Sequence, residues 1–459
     1  MFNPDIQYRC TIIRGKAQKE LDNLLPAYAS MIAEICPCLK HDFDKIFNDR
    51  LSNVIYGKDF LSLNEAHKKT IRNHITEIAG KLFGLYFEKD GLVYEGHSNA
   101  KLLEDNDQPA FFKNLCLNFQ FPNGTQKIQT IIDRLKNKIK FKPFHFIISL
   151  LDLAQTENIK LTKDEIGYYV LNAQEVLQGE ITTRTVLNVI KIDRNNGIIK
   201  RLGNGSRHTQ HIREQLNLLE LANLIIMDNN YILLNNNERS VIKLFIEELD
   251  KPLSFDIYSY DLGNEYQKLK MYSDWSEYFS QIAVKNPEIL ATTLFYQESQ
   301  QKNADKKIST TALGDQGEEF IFNLEKERVA KTHPRLVNKI QLVGKQRGLG
   351  YDILSVDAAE NKEDPEFARF IEVKSTTRIT EPDLKDLSWL DTVNLTRKEW
   401  IAAKQYRDAY NIYRVYFTLG KVVVRKINNP FDKNEKNIIQ VIPTMYRMDF
   451  NSAGIDLEY

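Results

Sequence analysis

The run Gln297-Glu298-Ser299-Gln300-Gln301-Lys302-Asn303-Ala304-Asp305-Lys306-Lys307 limits the possible folds more than any other stretch of this chain. It has no apolar period, and its Gln, Lys and Ser side chains gain nothing by leaving water, so it reads as a solvated linker. A chain interrupted there must build a separate core on each side. The 459 residues leave room for two or three such domains. After the run the pattern is mixed α/β; before it the pattern is mainly helical, with short hairpins.

Composition narrows the class. A hydrophobic fraction of 42% beside 27% charged residues fits an ordinary globular chain and excludes a fibrous or disordered one. No window nears the roughly 20 uninterrupted apolar residues of a membrane helix. Met1-Phe2-Asn3-Pro4-Asp5 has no basic run leading into an apolar one. The expectation is a cytoplasmic protein with no membrane partner, in which the sequons at Asn123, Asn204 and Asn394 stay unused. Cys36-Pro37-Cys38 is the only close cysteine pair, and no second pair at zinc-knuckle spacing joins it, so Cys10, Cys36, Cys38 and Cys116 read as reduced thiols. With 62 basic and 62 acidic side chains the net charge is zero, which neither supports nor excludes nucleic acid.

One pattern occurs twice before the linker. Leu63 to Phe83 reads as an amphipathic helix, followed by a hairpin of Leu85-Tyr86-Phe87 and Leu92-Val93-Tyr94. Arg207 to Gln215 opens another helix, with Ile212, Leu216, Leu219 and Leu224 on its apolar side. Its hairpin pairs Leu224–Met227 with Tyr231–Leu234 around Asp228-Asn229-Asn230. Helices ending in a compact hairpin form the layout of a winged helix, in which the last helix lies in the DNA major groove. Lys69, Arg72, Asn73 and His74 on the first helix, and Arg207, His208, Gln210, His211 and Arg213 on the second, are the types that read base edges. The same residues also suit a solvated helix face, and winged helices also dock on proteins. Phe144–Leu151 reads as a buried helix and Leu161–Ile166 as the capped start of the next. Arg9, Arg14 and Lys16 give the N-terminal run a basic arm for a groove, or an exposed lead-in to a helix. The segment from Tyr258 to Phe279 reads as helical and tyrosine-rich, compatible with a protein-interaction surface.

Chemistry concentrates beyond the linker. Gly314-Asp315-Gln316-Gly317-Glu318-Glu319-Phe320 opens a helix with carboxylates near its start. In Arg347-Gly348-Leu349-Gly350-Tyr351-Asp352-Ile353 a glycine-rich turn delivers Asp352 onto a strand. Arg369 to Thr376 is a β-run, and alternation puts Glu372 and Lys374 on one face and Val373 on the other. Asp352 and Glu372 are hard oxygen ligands suited to Mg²⁺, with Mn²⁺ as a substitute. Lys374 is placed to orient water or offset phosphate charge, and Glu318 to bind the same ion through water, or a second ion. A Glu-x-Lys strand alone is a common surface charge pair; its coincidence, in order, with the Gly-Tyr-Asp turn and the Gly-Glu helix favours a catalytic site.

At these residues the sequence resembles a known group. Gly317-Glu318, Gly350-Tyr351-Asp352, Glu372-Val373-Lys374, Leu395–Trp400 and Tyr413-Arg414-Val415-Tyr416 resemble the PD-(D/E)xK nucleases of the NO VEIN C-terminal type, over roughly 312–428. Tyr351 stands where the superfamily name has proline, a variable position. The resemblance implies that the backbone carbonyl of Val373 joins the metal shell. Arg9–Lys16, Leu21–Tyr28, Gln108–Phe112 and Gln210–Leu216 are similar to the recognition domain of BpuJI-type restriction endonucleases, over most of 1–250. That similarity implies paired winged-helix subdomains reading a short, asymmetric, C-rich duplex site, and a dimerising nuclease domain that cuts nearby. The loop Arg201–Ser206 is less similar, which leaves room for a different target.

The expected fold is therefore multidomain: a mainly α winged-helix DNA-recognition region, then an α/β PD-(D/E)xK nuclease domain with a central mixed sheet. The first recognition subdomain with its arm spans 1–130, the second 131–296, the linker 297–312 and the nuclease domain 313–459. The expected function is a Mg²⁺-dependent type II restriction endonuclease acting on double-stranded DNA, homodimeric through its nuclease domains, with a host DNA methyltransferase as companion. The rivals are a structure-selective, junction-resolvase-like nuclease and a non-catalytic DNA-binding protein with a relic nuclease fold. Junction preference distinguishes the first, and a metal-dependent nicking assay the second.

Overall fold

The structure, a computed structural model, describes residues 10, 13, 18–105, 107–200, 206–290, 310–344, 349–359, 364–385, 389–418, 420–442, 447–450 and 452–458. Two compact units emerge. The first holds Met1–Gln18, Met31–Leu103 and Gln108–Thr292; the second holds Lys19–Ser30, Glu104–Asp107 and Thr293–Tyr459.

The first unit is helical, with one small sheet built twice. β1 (Cys38–Leu39) and the hairpin β2 (Tyr86–Lys89) and β3 (Leu92–Glu95) form a sheet in the order β1-β3-β2. β4 (Leu161–Thr162) and the hairpin β5 (Ile225–Asp228) and β6 (Tyr231–Leu234) form another in the order β4-β6-β5. Each hairpin has a two-residue connection, Asp90-Gly91 or Asn229-Asn230, as the pairs Lys89↔Leu92 and Asp228↔Tyr231 require. Both hairpins stand where alternation and turn residues place them.

The helices ahead of them need one correction. In place of a single helix over Leu63–Phe83, α1 (Glu65–Asn73) starts on the Asn64 cap, which accepts from the His67 amide at 2.8 Å, and gives way to a π-helix over His74–Leu82. His74 follows Ile71 by three residues and precedes Ile78 by four, so it lies on the apolar stripe itself and is only 4% exposed. The expected buried helix is α2 (Pro143–Thr156), with Phe144, Ile147, Ile148 and Leu150 sealed in the core. Thr162 and Glu165 cap each other's backbone reciprocally, as their spacing predicts. α3 (Ser206–Leu221) buries Ile212, Leu216 and Leu219 and leads to β5. The tyrosine-rich segment is helical over Glu265–Ser280.

In the second unit, α4 (Thr310–Thr332) begins three residues inside the stretch expected as linker; 297–309 lie outside the described residues. Its sheet contains β7 (Gln341–Leu342), β8 (Ile353–Val356), β9 (Ala368–Thr377), β10 (Tyr410–Phe417), β11 (Val422–Asn428) and β12 (Leu457–Glu458). The order is β12-β11-β10-β9-β8-β7, and β9 and β10 alone run parallel, so the sheet is mixed. α4 covers one face through Leu313, Ile321 and Val329 against Ile353, Ile371, Val373 and Val415. α5 (Arg397–Tyr406) covers the other through Ala402 and Ala403 against Tyr410, Ile412 and Tyr416. A separate small sheet pairs Asp391–Asn394 and Gln440–Ile442 with Arg447–Phe450.

Cys10 and Cys116 are buried, Cys36 and Cys38 half-buried, and all four thiols are free. Among the described residues no helix is long and apolar enough to cross a membrane.

Candidate active site

The site forms where two strands part. β8 and β9 are antiparallel, and Ile353↔Ile371 is their last pair. Beyond it the register breaks by one residue: the Asp352 amide reaches the Ile371 carbonyl and not Glu372, and the Asp352 carboxylate is carried next to that of Glu372. Two contacts hold the fork open: the Asp352 amide donates to the Ile371 carbonyl at 2.9 Å, and the Val373 amide donates to Asp352 Oδ2 at 2.8 Å. A carboxylate has thus taken the place of the next ladder bond. The two acids are close enough for each to shift the other's carboxyl.

The glycines around the fork explain how a helix on the opposite face joins it. A Cβ on Gly317 would fall 1.7 Å from Ser375 Oγ, so α4 approaches β9 this closely only with glycine there. Glu318 follows immediately. A Cβ on Gly344 would lie 2.6 Å from Glu318 Oε2 and 3.1 Å from Asp352 Oδ1. The two carboxylates therefore converge on one small cradle.

Lys374 faces them from the strand. Its Nζ lies 2.7 Å from Glu372 Oε1 and 2.9 Å from Glu399 Oε2. Glu399 comes from the first turn of α5, where it completes a capping box with Thr396. In sequence Glu399 lies within Leu395–Trp400, which carries only the family resemblance; its Thr-x-x-Glu spacing is that of a capping box.

Electrostatics follow from burial. Glu372 is 3% exposed, and desolvation pushes its carboxyl well above the usual range, against the pull of Lys374. Burial also raises Asp352, opposed by the Val373 amide and Lys374. Burial opposes the charge on Lys374, but Glu372 and Glu399 overcome it and hold the ammonium above its ordinary value. Among the described residues acids outnumber the cation here, with Asp352, Glu372 and Glu399 around Lys374, and an added divalent cation would relieve that imbalance. Among the described residues no three Asp, Glu, His or Cys groups form a finished metal cage. The hard carboxylate oxygens of Asp352 and Glu372 are the donor chemistry that suits Mg²⁺, which takes one or two carboxylates and keeps several waters.

The candidate DNA-contacting residues are spread over the first unit. Lys69 and Arg72 are exposed on α1 and Asn73 is half-exposed, while the buried His74 presents nothing to solvent. On α3, Arg213 is exposed and Gln210 donates to Glu214 at 2.9 Å. Arg207, His208 and His211 belong to that helix, but their side chains lie outside the described residues, as do Arg9, Arg14, Lys16 and the loop 201–205.

Comparison with known proteins supplies the context. A family model for the N-terminal part of restriction endonuclease BpuJI matches residues 2–276, and one for the C-terminal part of protein NO VEIN matches 317–427. Both resemblances seen in the sequence stand. Among solved structures, the chain is similar to the BpuJ1 endonuclease binding domain, determined in complex with pyrene- and phenanthrene-modified DNA. The identity is 45%, the match covers 61% of this chain and 100% of that one, and the TM-score is 0.56. Among curated proteins no relative matches.

Proposed function

The chain belongs to the restriction endonuclease BpuJI N-terminal family, and from that premise we propose that it is a sequence-specific, Mg²⁺-dependent DNA endonuclease. The observation that carries the catalytic half is the gathering of Asp352, Glu372 and Lys374 where β8 and β9 part, with Glu399 as the second partner of the ammonium. The first unit docks on duplex DNA. Lys69, Arg72, Asn73, Arg207, His208, Gln210, His211 and Arg213 contact phosphates and base edges through two winged helices, and Arg9, Arg14 and Lys16 act as an arm. The target is a short, asymmetric, C-rich site.

Asp352, Glu372 and the Val373 carbonyl would hold Mg²⁺, or Mn²⁺ in its place, with Glu318 behind them; the ion supplies Lewis acidity at the scissile phosphate. The protein's own groups do the rest. Asp352 stays oriented through the Val373 amide. Lys374 donates to the attacking water or a phosphate oxygen and offsets the charge that grows as the phosphorus–oxygen bond to the sugar breaks. One such site cuts one strand, so cutting both calls for a homodimer of nuclease domains. A host with this activity in its cytoplasm needs a methyltransferase to mark its own DNA.

The test is incubation with a randomised duplex library and Mg²⁺, followed by sequencing of the ends. Recurrent ends at a fixed offset from one motif are expected. A preference for four-way junctions, or no metal-dependent nicking, contradicts the proposal.

A further inference from the structure

We propose that Glu399 is a positioning residue for Lys374, keeping the ammonium in the site when Glu372 turns to the metal ion; this rests on the nuclease reading above. Lys374 has two carboxylate partners of different kinds. Glu372 lies on the same strand, faces Asp352 and is a metal ligand in that reading. Glu399 comes from a helix and not from the strand, and its charge reaches Asp352 and Glu372 as well as the lysine.

Glu399 is also the better-fixed partner. Its Oε2 accepts from the Thr396 amide at 3.0 Å while meeting Lys374 Nζ at 2.9 Å, and its own amide donates to Thr396 Oγ1 at 3.3 Å. The first turn of α5, ten residues long, favours a negative charge there. A single oxygen thus ties the start of α5 to the catalytic strand. Once a divalent cation claims Glu372, its attraction for Lys374 is divided, and the ammonium, itself repelled by the ion, would swing to solvent along its flexible stem. A second carboxylate, itself held by the Thr396 amide, would prevent that. This gives the helix start a second task beyond capping.

The full-length chain carries the test. Glu399→Gln keeps the reciprocal cap, which glutamine also makes, but removes the charge; Thr396→Ala weakens the cap and keeps the charge. With Mg²⁺ and saturating DNA, Glu399→Gln is expected to cut about 10–100-fold more slowly, the usual cost of losing an outer-shell partner. Half-saturation by DNA and thermal midpoint should stay unchanged, and Thr396→Ala should cut within a few-fold of the unaltered chain. A crystal grown with Ca²⁺ should show Lys374 Nζ still on Glu399 and released from Glu372. Equal rates for Glu399→Gln and the unaltered chain, equal slowing by Thr396→Ala, or an ammonium that stays on Glu372 and leaves Glu399 would each overturn the inference alone. Failure of the unaltered chain to cut DNA would overturn the nuclease reading as well.

Discussion

Each unit holds a lysine against carboxylates, and Lys113 and Lys374 are treated differently. In the first, Lys113 Nζ meets Glu238 Oε2 at 2.9 Å with both side chains sealed from water, and Asn223 donates to the other carboxylate oxygen at 2.9 Å. One ammonium meets one carboxylate, whose second oxygen is also bonded, as suits a structural ion pair. In the second, Lys374 sits between Glu372 and Glu399, with Asp352 beside Glu372 and Glu318 beside Asp352. Among the described residues the acids there exceed the cation, and burial lifts Asp352 and Glu372 rather than settling them. A buried charge that is matched holds a fold together; a surplus of one sign waits for a ligand.

The strongest challenge to this contrast is to remove the surplus. Asp352→Ala or Glu372→Ala should lower DNA cleavage at least on the order of a thousandfold, while gel-shift affinity for the target and the thermal midpoint hold. A variant that unfolds instead would make the second cluster structural like the first. Lys113→Met should act oppositely, costing about 3–5 kcal/mol of stability by stranding Glu238, as read by urea unfolding.

His145 sharpens the picture of a first unit that tolerates no unmatched charge. It is 1% exposed against Phe245, and burial holds its imidazole at about 3, well below the ordinary 6.5. The unfolded chain therefore binds a proton in the window between these values that the folded chain refuses. The stability from neutral His145 is complete above about pH 6.5 and is lost as pH falls towards 3. His145→Phe should flatten the pH dependence of urea unfolding across that window; an unchanged slope would mean that the imidazole finds a partner. The smallest effect belongs to the surface cations. Alanine at Lys69, Arg72 or Arg213 should weaken DNA binding several-fold and, for a phosphate contact, reduce the salt slope by about one, without altering the cleavage rate at saturating DNA.

The contrast also marks what the sequence could disclose. Strand alternation is a rigid rule, so placing Glu372 and Lys374 on one face and Val373 on the other needed no tertiary knowledge. The two hairpins were legible for the same reason. His74 was misplaced on the surface because its residue type outweighed its position on the Ile71–Ile78 stripe, and the π-helix that carries it has no local signature. Glu399 was hidden by having two tasks, of which capping is the one visible in sequence. Nothing in the sequence marks Gly344, whose cradle between Glu318 and Asp352 exists only once α4 and β8 are assembled. The small sheet of Asp391–Asn394, Gln440–Ile442 and Arg447–Phe450 depends on distant pairing and left no trace either.

The most direct measurement is anomalous scattering from crystals soaked in Mn²⁺. The account requires a peak between the Asp352 and Glu372 carboxylates, beside the Val373 carbonyl, and its loss in Glu372→Ala. Crystals with no manganese at that fork, or with Lys374 occupying the position between the two acids, would contradict it.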